Sequence, residues 1–464
     1  MGTFFDKYIE SVEQTETILY VGSVISVKGM LIESNGPRSV IGEMCSIKLM
    51  RGGGSVQAEV VGLNGTTVQL MAYGETKGIE IGCQVVASGH VLQVPVGNEL
   101  LGRVIDATGC SYDGKPDVVT GHFYPAIAQP PAPLDRKPVS ERIVTGVRAI
   151  DSMLAVAKGQ RLGIFAGSGV GKSTLLSMIA RNTNADINVI ALVGERGREV
   201  IDFIQRDLGE EGLKRSVVVV ATSDQPSIAR LRAAYTATAV AEYFRDTGKD
   251  VMLMFDSVTR FAHAQREIGL AAGEPPAQRG YPPSVFDLLP KLLERSGTSK
   301  KGTITAFYTV LVDGDDMDEP IADKVRGTLD GHIVLSRKLA QQGHFPAIDV
   351  LASISRLSKR VSGEQTQFSV MQVRRKMALY AENEDMITVG AYAKGSSPAI
   401  DAAIDSHPAI DEFLMQDEYA PASLSETLTR LGEIAGVEIP PSEWGEVDEN
   451  IKEKQSVDSV NGKQ

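Results

Sequence analysis

Residues 166–174 read Ala-Gly-Ser-Gly-Val-Gly-Lys-Ser-Thr, between an apolar run holding Leu162, Ile164 and Phe165 and another holding Leu175, Leu176, Met178 and Ile179. Strand, glycine loop and helix in that order, closing on Gly-Lys-Ser, match the phosphate-loop spacing G-x-x-x-x-G-K-[ST], with Ala166 at the first position. That position only starts the turn, and alanine is small. Gly167, Gly169 and Gly171 let backbone N–H groups turn onto phosphate oxygens. The helix that follows presents its N-terminus, which favours an anion. Lys172 can reach the β- and γ-phosphates, and the Ser173 hydroxyl can ligate Mg²⁺. Ser168, Val170 and Thr174 complete the expected nucleotide-binding stretch. The alternative is a glycine turn that binds nothing, and the flanking strand and helix argue against it.

Three further stretches could complete a phosphoryl-transfer site. The run Val251 to Phe255 ends in Asp256. A carboxylate at the end of a buried strand can hold Mg²⁺ through its water shell, although such aspartates are also common as plain caps. Glu195, in Val193-Gly194-Glu195-Arg196-Gly197-Arg198-Glu199, lies 23 residues beyond Lys172. It can orient and deprotonate an attacking water; the alternating Glu and Arg there also fit a surface ion-pair cluster. Arg356 ends the run Leu351-Ala352-Ser353-Ile354-Ser355 and is either a core-edge residue or an arginine finger. Upstream, Phe345 sits before Pro346, where a flat ring could stack on a base.

These residues need a scaffold. Near-continuous apolar runs recur from about 140 to 350: Ile187–Val193, Val217–Ala221, Val251–Phe255 and Ile304–Leu311. Strands buried on both faces read this way, which predicts an α/β domain with a mainly parallel sheet, helices on both sides and ligands beyond the carboxyl ends. We assign this α/β domain to residues 93–358, including a proline-rich linker over 125–138 that wraps it. Residues 19–92 alternate in short runs around turn signals at Asn64-Gly65 and Gly52-Gly53-Gly54, which predicts a small β-barrel. Residues 359–441 read as a helical C-terminal domain, and 442–464 as a polar, disordered tail. Residues 1–18 carry Phe4, Phe5, Tyr8, Ile9 and Val12 on one helical face, which is either packed on its own domain or a docking helix.

Composition narrows the class. The 464 residues have a formal net charge of −12, which argues against non-specific nucleic-acid binding as the main task. Cys45, Cys83 and Cys110 form no CxxC pair and suit a reducing compartment. The six histidines show no ligand-like grouping. MGTFFDKYIE lacks the apolar core of a signal peptide, and no run has the length of a membrane span, so a cytosolic or peripheral protein is expected.

Taken together and in order, AGSGVGKS, GERGRE, FDSVTRFA, RGYPPSVF, ITAFYTVLVDGDDMDEPIAD, LDGHIVLSR and HFPAIDVLASISR resemble the flagellar protein-export ATPases. These are the flagellar members of the type III secretion ATPases, related to catalytic subunits of rotary ATP synthases. The resemblance runs from about residue 20 to about 440, and the DGDDMDEPIAD stretch favours export over ATP synthesis. It implies a Mg²⁺-dependent ATP hydrolase with a RecA-like central domain, built as a homohexamer. Lys172 would bind phosphates, Ser173 would ligate Mg²⁺ and Asp256 would position its shell. Glu195 would activate water with Arg196 assisting near the γ-phosphate, Phe345 would stack on adenine, and Arg356 would be the finger given to a neighbouring subunit. Gly280-Tyr281-Pro282-Pro283 resembles a loop facing the central pore. The implied partners are a stator-like regulator at the N-terminal helix, a central stalk protein, export chaperones with cargo, and a membrane export gate. The implied location is the cytoplasm, peripheral to the inner face of the membrane. A virulence injectisome ATPase is the nearest alternative; a rotary subunit or a non-catalytic ring subunit fits less well.

Overall fold

The computed structural model describes residues 20–312, 314 and 316–444. The expected docking helix over 1–18 and all but the first three residues of the expected tail lie outside them. Six strands, Val21–Lys28, Leu31–Asn35, Glu43–Lys48, Ser55–Asn64, Thr67–Ala72 and Gln84–Val91, close into a barrel. They pair in the order first, second, fifth, fourth, third, sixth. The Asn64-Gly65 signal is the turn of a hairpin in which Asn64 faces Thr67, and Gly65 takes the left-handed φ of 61° that the turn requires. Alternating residues such as Ile32, Ile47, Val60, Leu70 and Val85 point inward and fill the barrel.

The central domain is built on a nine-stranded sheet among the described residues. From one edge its strands are Ile348–Ser355, Gly331–Leu335, Arg161–Ala166, Thr303–Leu311, Asp250–Asp256, Ile187–Val193, Ser216–Ala221 and Arg103–Ile105; the short Gly297–Thr298 pairs with Thr303–Leu311. The main-path neighbours are parallel except at the first edge, where Ile348–Ser355 runs antiparallel to Gly331–Leu335. Both faces are buried, as the unbroken apolar runs require. Val189, Ala191, Leu253, Phe255 and Tyr308 join a core with helices Ser227–Asp246 and Val258–Ala271. Their alternates Ile190, Leu192, Met252, Met254 and Phe307 face helix Lys172–Asn182.

The linker is tied onto this domain. The Arg295 guanidinium donates to Ala126 O at 2.6 Å, Arg136 Nη1 donates to Ser296 O at 2.9 Å, and Thr298 Oγ1 donates to Lys137 O at 2.7 Å. The barrel is tied on through Glu59, which accepts from Arg232 Nε at 2.8 Å and Tyr73 Oη at 2.6 Å. Helices Glu364–Thr388, Pro398–Leu414 and Leu424–Ala435 cover the lower core through Val373, Ile410, Phe413 and Leu428. Gln416 locks the junction: its Oε1 accepts from Arg148 N at 2.7 Å, and its Nε2 donates to Gly146 O at 2.8 Å.

Candidate active site

The strand Arg161–Ala166 delivers the chain into the glycine loop at the carboxyl end of the sheet. Gly171 caps the following helix with φ 95°, a conformation that L side chains rarely adopt, so glycine is required there. Ser168 and Gly169 are exposed, and among the described residues no backbone N–H from Gly167 to Gly171 donates within the chain. Unpaired donors at a helix N-terminus suit an anion.

Three strand mouths converge on this loop. Lys172 Nζ forms an ion pair with Asp256 Oδ1 and stands 3.5 Å from Glu195 Oε1. Asp256 is the last residue of its strand and is in register with Leu192, so Glu195 emerges from the adjacent strand just beyond it. Thr309, on the strand between Asp256 and the loop strand, donates to Asp256 Oδ1 at 2.7 Å. Arg260 Nε lies 4.0 Å from Glu195 Oε1.

The cluster is dry enough to shift its proton affinities. Glu195 is 7% exposed. Burial, then the neighbouring Asp256 charge, raises its pKa against the opposing pull of Lys172 and Arg260. Burial draws Lys172 down, but Asp256 and Glu195 outweigh it and hold the ammonium above its ordinary pKa. A carboxylate with raised proton affinity beside an ammonium can accept a proton from water.

Phe345 also meets the loop. A β-carbon built on Gly171 would stand 3.8 Å from its ring atoms, and Phe345 as a whole is 46% exposed. An exposed flat face at that place can stack on a base. Ser173 is exposed in the first helical turn, on the same end of the sheet as Asp256. A hydroxyl and a carboxylate are the donors that a hard cation takes alongside phosphate oxygens, so this pair fits Mg²⁺.

Two expected residues stand apart. Arg196 is at the start of helix Gly197–Asp202, exposed, and pairs with Glu199 at 3.1 Å. Arg356 lies at the opposite end of the sheet. Its N–H donates to Asp330 O at 3.0 Å, and Asp330 chelates Arg161, the first residue of the loop strand. At about 3.3 Å per residue that strand puts Arg356 roughly 17 Å from the loop of its own chain, farther than a side chain reaches. Tyr281, in the stretch compared with a pore-facing loop, is 4% exposed and packs against His263 and Arg266.

Sequence reading missed Arg260 and Thr309. Arg260 follows Asp256 by four residues in the first turn of helix Val258–Ala271, a spacing that could have flagged it. Thr309 is one of many β-branched residues in a buried strand, and only the strand order reveals its partner.

The sequence of residues 146–355 matches the model for the ATP synthase alpha/beta family nucleotide-binding domain, 24–89 that family's beta-barrel domain, and 361–433 the T3SS EscN ATPase C-terminal domain. The flagellum-specific ATP synthase of Treponema pallidum is 58% identical over 438 residues, 94% of this chain and 98% of that protein. The assembled ATPase EscN of the enteropathogenic E. coli type III secretion system superposes with a TM-score of 0.85 at 43% identity, over 89% of this chain and 100% of EscN. EscN in complex with its central stalk EscO superposes with a TM-score of 0.83 at 42% identity, over the same shares of both chains.

Proposed function

The chain belongs to the ATP synthase alpha/beta family, in the branch of the flagellum-specific and type III secretion ATPases, and we propose that it hydrolyses ATP to drive flagellar protein export. The observation that carries the chemistry is the convergence of Lys172, Asp256 and Glu195 at the glycine loop. The flagellar assignment is supported by the 58% identity with the Treponema pallidum protein, against 50% with the SPI-2 type 3 secretion system ATPase of Salmonella typhimurium.

The loop N–H groups and Lys172 hold the β- and γ-phosphates, and the base of ATP rests on Phe345. Ser173 and Asp256 would hold Mg²⁺, which would supply positive charge to offset that of the phosphates. Glu195 orients a water whose oxygen attacks the γ-phosphorus while the bond to the ADP oxygen breaks. The water's proton passes to Glu195 and then to the released phosphate. Arg196, exposed at the start of its helix, can leave Glu199 and turn toward the γ-phosphate.

Arg356 cannot serve its own site, and we assign it to the site of a neighbouring copy, which requires a closed ring. The assembled EscN structure supports a ring of identical chains, here a homohexamer, and its complex with EscO supports a central stalk partner. A regulator at residues 1–18, export chaperones with cargo, and an export gate complete the proposed partners. Among the described residues no helix is long and apolar enough to cross a membrane, and we propose a cytoplasmic protein docked at the export gate.

Expression in a flagellated host lacking its own export ATPase tests the reading. This chain should restore export of flagellar proteins and Glu195→Gln should not. Failure there together with rescue of an injectisome mutant would favour the EscN-like role.

A further inference from the structure

Phe345 is held from behind by the C-terminal helices. The preceding residue, His344, is 5% exposed, and its Nδ1 lies 2.9 Å from Asp411 Oδ1 near the end of helix Pro398–Leu414. An ionised carboxylate only accepts, so Nδ1 donates. Phe345's own carbonyl accepts from Gln416 N at 2.9 Å, two residues beyond that helix. The ring that faces Gly171 is thus mounted between two hydrogen bonds from one C-terminal element. One of them is made by a side chain, at a buried imidazole with no other side-chain partner among the described residues.

We propose that Asp411 is a positioning residue for the nucleotide base: through His344 it sets the pose of the Phe345 ring and so ties base binding to the C-terminal helical domain. The proposal rests on the reading that Phe345 stacks on the base. Its physical basis is selective. Removing the acceptor leaves a buried N–H unpaired and frees the His344-Phe345 segment to shift. The glycine loop and Lys172 are anchored on other strands, so phosphate binding is untouched. Asp411 itself is half exposed at 49%, so truncating it opens no cavity and the chain should fold.

The test compares two ligands by calorimetric titration of the full chain: Mg-ADP, which has a base, and Mg-tripolyphosphate, which has none. Asp411→Ala should weaken Mg-ADP about fivefold, the worth of one hydrogen bond, and leave tripolyphosphate unchanged. Asp411→Asn keeps an acceptor oxygen and should bind Mg-ADP within about twofold of the parent chain. Phe345→Ala is the control for the premise and should weaken Mg-ADP alone. If Phe345→Ala has no effect, the stacking reading fails and takes the proposal with it. If Phe345→Ala weakens Mg-ADP but Asp411→Ala does not, stacking stands and the positioning role is wrong. Equal loss of both ligands in Asp411→Ala would also overturn it, because that is general damage to the domain.

Discussion

The ammonium of Lys172 and the carboxylate of Glu195 stand 3.5 Å apart, one from the phosphate-loop helix and the other from the mouth of a strand three places away in the sheet. In the proposed mechanism the lysine is therefore shared between phosphate recognition and the proton acceptor. Glu195→Gln keeps the shape and removes only the proton acceptor. It should bind Mg-ATP with near-parental affinity and lose about 10²–10⁴-fold in turnover, as measured by single-turnover phosphate release. Parental turnover in this variant would refute the base assignment.

The raised pKa of Glu195 has a sign that can be checked twice. As a base it must be ionised, so the acid limb of the turnover profile should lie at higher pH than an ordinary glutamate would give. For stability the same shift means that the folded, ligand-free site disfavours the charge. The stability linked to this group is therefore present at low pH and lost as pH rises through the raised pKa. Glu195→Gln should then melt no lower than the parent chain at neutral pH without nucleotide. A clear fall in its melting temperature would mean that the charge is net stabilising.

Arg356 lies level with Arg161, at the far end of the strand that feeds its own loop. Arg356→Ala should retain Mg-ATP binding and lose about 10³–10⁵-fold in turnover. Mixed with Glu195→Gln it should regain part of the activity, because some interfaces then pair an intact Glu195 with an intact Arg356. Rings shown to be mixed that stay inactive would contradict action between copies.

Glu59 and Arg232 form a buried pair across the barrel and the central domain. Glu59→Ala strands the guanidinium and should cost about 3–5 kcal/mol, seen as a lower denaturant midpoint. Replacing both partners by methionine should cost less than either single change, because no charge is then left unpaired.

The legibility of this protein follows the range of the interactions. The glycine loop could be read outright, because its chemistry lies within nine consecutive residues. Asp256 and Glu195 were legible as carboxylates at the ends of apolar runs. Their meeting with Lys172 was not, because it depends on strand order. The position of Arg356 was hidden for the same reason: the single antiparallel edge strand turns it away from its own loop. Tyr281 shows the converse, an aromatic in a turn-like stretch that tertiary packing draws inward. The six-residue π-helix Phe203–Leu208 after the Glu195 loop also left no mark, since its residues fit an ordinary amphipathic helix.

The central claim is that one chain holds every catalytic group but completes its sites only between copies. Phosphate release from Mg-ATP by the purified chain, across a wide range of protein concentration, tests it most directly. Specific activity should rise steeply with concentration and then level as rings form. A specific activity independent of concentration while the chain remains monomeric would contradict it, as would near-zero release from assembled rings that still bind ATP.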